Sequence, residues 1–131
     1  MSVALRDLAQ QLREEDTPIS PHVIDPGESA AFAAAGEYAL VIEAVREGYL
    51  LHYGQPRLLA GHDPDLALLT GDYLYALGIE RLAALGDTEA VHRLADLIST
   101  CAQFHTEGRA DEVPAVWEET VRHITSPIDE T

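Results

Sequence analysis

The feature that most constrains the fold is the segment from residue 64 to residue 85, which is typical of one long helix with apolar side chains on every face. Its large apolar residues are Leu66, Leu68, Leu69, Tyr73, Leu74, Leu77, Ile79 and Leu82. A helix without a polar face has to be covered on all sides. The other helices of a short chain can cover only part of it, so we expect an all-α bundle whose cover is completed by a second chain. The expected interface residues are Leu69, Tyr73, Leu74 and Leu77.

Four more helices are predicted from apolar residues that recur at three- and four-residue steps. Their expected bounds are residues 3–14, 28–53, 88–105 and 112–124. No segment shows the alternation of a half-buried strand, so we expect five helices and no sheet.

The expected helix ends depend on single residues. Asp63, Asp87 and Asp111 each precede a predicted helix, and we expect each carboxylate to accept hydrogen bonds from the first amides of that helix. Gly54 suits the left-handed conformation that often follows a helix, and Gly86 is expected to end the third helix.

Three prolines separate the first helix from the second. Pro18, Pro21 and Pro26 each lack an amide donor and restrict the residue before them, so a helix cannot continue through residues 16–27. We therefore expect one helical domain over residues 1–131, with a peripheral helix (1–15), a Pro-rich connector (16–27) and a helical core (28–125).

The charge balance excludes several classes of function. The chain has 23 acidic and eight basic residues, all eight of them Arg, and its net charge is −15. Such a chain repels phosphate backbones and anionic membranes, so we expect no nucleic-acid partner. No apolar run reaches the length of a membrane span. A lone Cys101 and the lack of a signal-peptide pattern favour a cytoplasmic location.

Glu43 and Glu47 are the first candidate site residues. They lie four residues apart and therefore on one face of the predicted second helix. Two carboxylates in that relation can bridge a hard cation, so magnesium is the one cofactor that the sequence suggests. The alternative is a solvated acidic pair beside Arg46.

Asp72 is the second candidate, because its helical neighbours are Leu68, Leu69, Tyr75 and Ala76. A carboxylate in apolar surroundings has to find a donor or become protonated. We expect Asp72 to be buried and partnered, so that its removal costs about 1–3 kcal/mol. It is either a ligand-binding residue or a structural hydrogen-bond acceptor.

The other titratable residues are better explained structurally. His92 and Asp96 lie one turn apart, with His105 and Glu107 further along, but two ligands do not make a metal site. Cys101 lacks an activating base nearby in the sequence and is expected to be a buried apolar residue.

Residues 54–85 resemble the middle of the polyprenyl (isoprenoid) diphosphate synthases, and the similarity extends over residues 29–107. Those enzymes carry a DDxxD motif, then Arg-Arg-Gly-Lys-Pro, then a Gly-Asp pair that opens an apolar helix. The corresponding sequences here are Gly54-Gln55-Pro56 and Gly71-Asp72-Tyr73-Leu74-Tyr75-Ala76-Leu77. The Gly-Asp-Tyr form is also similar to the small, non-catalytic component of heptaprenyl diphosphate synthases. The resemblance implies an isoprenoid-synthase-like helical bundle.

The sequence departs from the family pattern at the positions that carry the family's catalytic residues. The first and fifth DDxxD positions fall on Glu43 and Glu47, but the second falls on Ala44. The paired arginines fall on His52 and Tyr53, and the lysine falls on Gln55. The second aspartate-rich motif and the early Gly-Lys-Arg segment have no counterpart.

Three hypotheses follow from the sequence. The first is an accessory subunit or degenerate paralogue of trans-prenyl diphosphate synthases without catalytic residues, which forms a homodimer or pairs with a catalytic synthase subunit. The second is a small-molecule or prenyl-diphosphate binding protein, or an enzyme, with an acidic pocket lined by Glu43, Glu47 and Asp72. The third is an unrelated homodimeric helical protein.

Overall fold

A computed structural model describes residues 3–15, 17–24, 37–59 and 63–125. Within these ranges the chain forms five α-helices and two short 3-10 turns, and no strand occurs. The helices are α1 (Val3–Glu14), α2 (Glu37–Tyr53), α3 (Pro64–Ala84), α4 (Thr88–Thr106) and α5 (Val113–Thr125), and the 3-10 turns are Ser20–His22 and Ala110–Glu112. The all-α prediction is confirmed. The predicted helical residues 28–36 lie outside the described part.

Two of the expected helix caps are present. The Asp63 carboxylate accepts hydrogen bonds from the amides of Asp65 (3.0 Å) and Leu66 (3.3 Å), and so begins α3. The Asp87 carboxylate accepts the Ala90 amide at 3.0 Å and begins α4. These contacts satisfy donors that the first helical turn otherwise leaves unpaired.

Two other expectations about helix ends are wrong. Asp111 lies within the 3-10 turn Ala110–Glu112 rather than at the cap of α5. Gly54 does not adopt the left-handed conformation, and its amide continues the helical pattern by donating to the Leu50 carbonyl at 2.8 Å. Gly86, with φ of 78°, does end α3 in the left-handed conformation that glycine tolerates without steric cost.

Contacts divide the chain into two compact units, Met1–Gly78 and Ile79–Thr131, and α3 contributes residues to both. The single domain that the sequence predicts over residues 1–131 stays a prediction. In the first unit, α1 packs on α2 and buries its leucine stripe. One cluster of its buried core consists of Leu5, Leu8, Ala9, Leu12, Ala44, Leu58, Leu74 and Leu77, and Ile19, Val41, Ile42 and Val45 are also buried.

This core corrects the predicted interface on α3. Leu74 and Leu77 are buried in the chain's own core, and Tyr73 packs against it while its hydroxyl donates to the Glu15 carboxylate. Only Leu69 of the four is exposed, at 62%. Periodicity alone could not show which faces of an apolar helix its own chain covers.

The described part of the connector, residues 17–24, is tied to its neighbours. The Ser20 hydroxyl donates to the Leu12 carbonyl at 2.7 Å, which holds the connector to the end of α1. The Ile24 amide donates to the Leu58 carbonyl at 2.7 Å, beside an isolated antiparallel bridge between Val23 and Leu59. Residues 17–24 contain no α-helix, as expected, and these contacts attach them to the segment after α2.

In the second unit, α4 and α5 contact one another. Its buried apolar residues are Leu82, Ala90, Leu94, Leu97, Cys101, Val113, Trp117, Val121 and Ile124. The expected burial of Cys101 is therefore confirmed. Of the helices in the described residues of both units, none has the length and apolar character needed to cross a membrane.

Candidate functional site

The most unusual polar group in the first unit is the acidic pair of α2. Glu43 and Glu47 are 2% and 0% exposed, respectively. The alternative of a solvated pair beside Arg46 is therefore wrong. A buried carboxylate is costly unless it is paired and hydrogen-bonded, so the contacts of this pair decide what it can do.

Arg57 supplies the positive charge for both carboxylates. Its Nη1 atom donates to Glu43 Oε1 at 2.8 Å, and its Nε atom donates to Glu47 Oε1 at 2.9 Å. The Arg57 side chain is itself only 14% exposed. We call these three residues the Arg57 cluster. The cluster therefore places a guanidinium group between two buried acids.

Glu47 also shapes the chain that follows α2. Its Oε2 atom accepts the backbone amides of Arg57 at 2.6 Å and Leu58 at 2.8 Å. Together with the Arg57 side chain, these amides give the Glu47 carboxylate three donors. The fully buried Leu58 is thereby held in the core of the first unit.

The Arg57 cluster bears on the predicted magnesium site. A cation bridging Glu43 and Glu47 would have to displace the guanidinium that both carboxylates already contact. Among the residues that the structure describes, no group of three or more His, Cys, Asp or Glu side chains could hold a metal ion. The remaining terminal nitrogen of the cluster, Arg57 Nη2, is also buried. It has no hydrogen-bond partner among the residues that the structure describes.

Asp72 lies in a different cluster, and the expectation that it is buried is wrong. Its side chain is 73% exposed, and its Oδ1 atom lies 3.0 Å from Nε2 of His52. The His52 ring stacks on the Tyr75 ring, with centroids 5.3 Å apart and an interplanar angle of 14°. Leu68 and Leu69, the apolar neighbours that suggested burial, are themselves exposed and share the outer face of α3 with Asp72.

The exposure of Asp72 changes the expected effect of its removal. We expect Asp72→Ala to lower the free energy of unfolding by less than about 1 kcal/mol, because exposed ion pairs contribute little. Urea denaturation of the variant and the unaltered chain measures this difference. A loss of more than about 2 kcal/mol would mean that the contact with His52 is shielded from water.

The helices α2 and α3, which carry His52 and Asp72, pack closely against one another. A Cβ atom added at Gly48 would lie 2.8 Å from the carbonyl oxygen of Gly71, and one added at Gly78 would lie 2.5 Å from Cγ2 of Val45. These distances are shorter than packed atoms allow, so the two helices approach as closely as they do only because glycine stands at the contact. We call this contact the glycine crossing.

A cavity of 540 Å³ lies elsewhere in the first unit, near the end of α2 and the start of α3. Its walls include Leu51, Leu59 and Leu66. None of the three predicted ligand-binding acids lines it. The structure therefore distributes those acids between the Arg57 cluster and the His52–Asp72 pair, and it does not gather them around this cavity.

The second unit carries an exposed polar cluster around Arg109. Hydrogen bonds from Gln103 and Arg109 lower the pKa of Glu107, and hydrogen bonds from Arg109 lower the pKa of Glu112. The same carboxylates, Glu112 first, raise the pKa of Arg109. The Arg109 guanidinium also lies over the Phe104 ring, 4.2 Å from its centroid. This cluster joins the end of α4 to the 3-10 turn before α5.

The remaining candidates of the second unit do not form a site. His92 and Asp96 are both exposed on α4, and no cluster of metal ligands forms around them in the described residues. Glu107 is engaged by Arg109 at 2.9 Å.

Arg57 and His52 are the site residues that sequence reasoning missed. Arg57 follows a proline in a non-helical segment, where no periodic pattern indicates the direction of a side chain. The only available signal was electrostatic, since two acids on one helix face need a cation if they are buried, and this chain has eight arginines.

No family model matches this chain, and no curated protein or solved structure matches it either.

Proposed function

We propose that this chain is a non-catalytic helical protein that acts by associating with other chains, as an accessory subunit or degenerate paralogue of trans-prenyl diphosphate synthases would. The observation that carries the proposal is the Arg57 cluster. Glu43 and Glu47, which the resemblance aligns with metal-binding positions, contact an internal guanidinium at 2.8 and 2.9 Å. Because these two acids are paired with an arginine of the same chain, their role is to stabilise the fold and not to bind a metal ion.

The chemistry of prenyl transfer supports the same conclusion. Ionising an allylic diphosphate requires metal ions and cationic groups that stabilise the leaving diphosphate. The positions aligned with the basic residues of the family are occupied by His52, Tyr53 and Gln55. His52 is paired with Asp72 and stacked on Tyr75.

The first test is catalytic. We expect the purified chain to form no product from an allylic diphosphate, isopentenyl diphosphate and magnesium, because both acids of its acidic pair are already bound by Arg57. Product is measured by extraction of the labelled lipid, with a catalytic synthase as the positive control. Steady turnover above a buffer control would contradict the proposal.

An exposed apolar surface on the first unit supports association. Tyr53, at the end of α2, is 41% exposed, and Leu68 and Leu69 on α3 are 49% and 62% exposed. Leu68 and Leu69 are adjacent on α3, and neighbouring exposed apolar side chains favour contact with another protein. The partner is either a second copy of this chain or a catalytic synthase subunit.

We expect the chain alone to sediment at about twice its monomer mass at micromolar concentration, because pairing buries these leucines. The double variant Leu68→Glu, Leu69→Glu should sediment as a monomer. A matched control is Leu85→Glu, which places one charge on a leucine that is also exposed (42%) but lies beyond α3. A monomeric unaltered chain would contradict the homodimer, and equal effects of both variants would contradict the assignment of the interface to α3.

A further inference from the structure

The 540 Å³ cavity of the first unit has the size and the lining of a small-molecule site. Its volume lies within the range of about 300–1,000 Å³ that is usual for ligand pockets. Ile24, Leu51, Leu59 and Leu66 contribute apolar side chains from three separate parts of the chain. Such walls bind an apolar body by removing its surface from water.

The polar groups of the cavity determine which head group fits. Among the described residues that line it, His22, Gln55 and Asp63 are polar and none is Arg. Asp63 is exposed, and its Oδ1 atom accepts both amide hydrogen bonds of the cap. Those amides at the start of α3 are therefore occupied by an internal carboxylate, which removes the attraction that a free helix N-terminus has for anions.

We propose that this cavity binds a small amphipathic cation, an amine with an apolar body, whose charged nitrogen lies beside the Asp63 carboxylate. The apolar body occupies the space between Leu51, Leu59 and Leu66. The charge complementarity extends beyond the site, because a chain with a net charge of −15 attracts cations and repels anions of the same size. This inference is independent of the proposed accessory role.

Three ligands with the same eight-carbon chain and different head groups separate the contribution of the charged head group to binding from that of the apolar chain. Octylamine, octanol and octanoate are titrated into the full chain, with binding measured by calorimetry and by shifts of amide resonances. We expect octylamine to bind about tenfold more tightly than octanoate, with octanol between them, because a charge-assisted contact with Asp63 is available only to the amine.

Matched variants locate the binding. Asp63→Asn keeps a good helix cap but removes the charge, and it should weaken octylamine binding by about fivefold or more while leaving octanol unchanged. Asp65→Asn is the control, because Asp65 is an exposed carboxylate in the first turn of α3 that does not line the cavity. Ala67→Phe adds a large side chain at the cavity wall and should abolish binding of all three ligands.

The outcomes distinguish a site from diffuse attraction. Equal weakening by Asp63→Asn and Asp65→Asn would overturn the proposal, since binding would then follow net charge. Undiminished binding to a folded Ala67→Phe variant would place the tail elsewhere and would also overturn it. If Ala67→Phe does not fold, the comparison of the two asparagine variants still decides. No binding of octylamine at millimolar concentration would likewise exclude the site.

Discussion

Replacing Arg57 by methionine is expected to lower the free energy of unfolding by about 3–5 kcal/mol. The substitution removes the guanidinium that donates to Glu43 Oε1 and Glu47 Oε1. Both carboxylates are at most 2% exposed and cannot recover their hydration without opening the core. Methionine keeps much of the length of arginine, so the loss reflects the missing charge rather than a cavity. Urea denaturation followed by circular dichroism measures the change.

The matched control for this variant is Arg93→Met. Arg93 also pairs with a glutamate, Glu89, at 3.0 Å, but both side chains are well exposed (38% and 73%). An exposed pair one turn apart contributes only about 0.3–0.5 kcal/mol. If Arg57→Met cost no more than Arg93→Met, water would reach the Arg57 cluster, and the conclusion that Arg57 stabilises two buried acids would be wrong.

A second substitution tests whether unpaired charge causes the loss. Adding Glu43→Met to Arg57→Met removes one of the two buried carboxylates that lost the guanidinium, so we expect part of the lost stability to return. Glu43 is the right partner because Glu47 also accepts the amides of Arg57 and Leu58, and those contacts would be lost with it. A double variant less stable than Arg57→Met would contradict this account.

Replacing Gly48 by alanine is expected to destabilise the chain by about 1–3 kcal/mol, although alanine is the better helix former. The added Cβ atom would lie 2.8 Å from the Gly71 carbonyl oxygen and 2.9 Å from Cδ1 of Tyr75. A backbone oxygen cannot rotate away, so α2 and α3 would have to separate at the glycine crossing. This cost outweighs the roughly 1 kcal/mol that alanine contributes through helix propensity. Thermal and urea unfolding measure the net effect.

Gly54→Ala is the control for the glycine crossing. Gly54 is exposed and does not have a left-handed φ, and its nearest obstacle is the movable end of the Leu50 side chain at 3.1 Å. We expect its effect to stay within about 0.5 kcal/mol. A stabilising Gly48→Ala would show that the helices can separate at little cost, and the glycines would then not set the helix spacing.

The predicted helix ends show how far local information reaches. The bounds of α1 agree with those expected, and Asp63 and Asp87 cap their helices as expected, because a cap and the amides it binds lie within one turn of chain. Asp111 failed as a cap because the chain first makes a 3-10 turn, and Asp111 alone does not indicate that turn. Local patterns thus located the elements and missed the 3-10 turn that precedes α5.

The candidate site depended on contacts between elements, and there the sequence was a weaker guide. The face shared by Glu43 and Glu47 follows from helical periodicity. Their burial and their contact with Arg57 do not, because Arg57 lies ten residues or more further along, beyond the end of α2. For Asp72 the apolar neighbours were correctly identified, but two of them, Leu68 and Leu69, are exposed on the outer face of α3.

By itself, the sequence determined the all-α class, the positions of the helices and the residues able to cover a core. Each of these follows from interactions within about one helical turn, which periodicity and capping residues record directly. Only the tertiary structure decided that Leu74 and Leu77 are buried in the chain's own core while Leu69 is exposed, and that a guanidinium lies between the two acids. The physical reason is that burial and ion pairing depend on how helices pack, and side chains from distant parts of the chain meet only after that packing has formed.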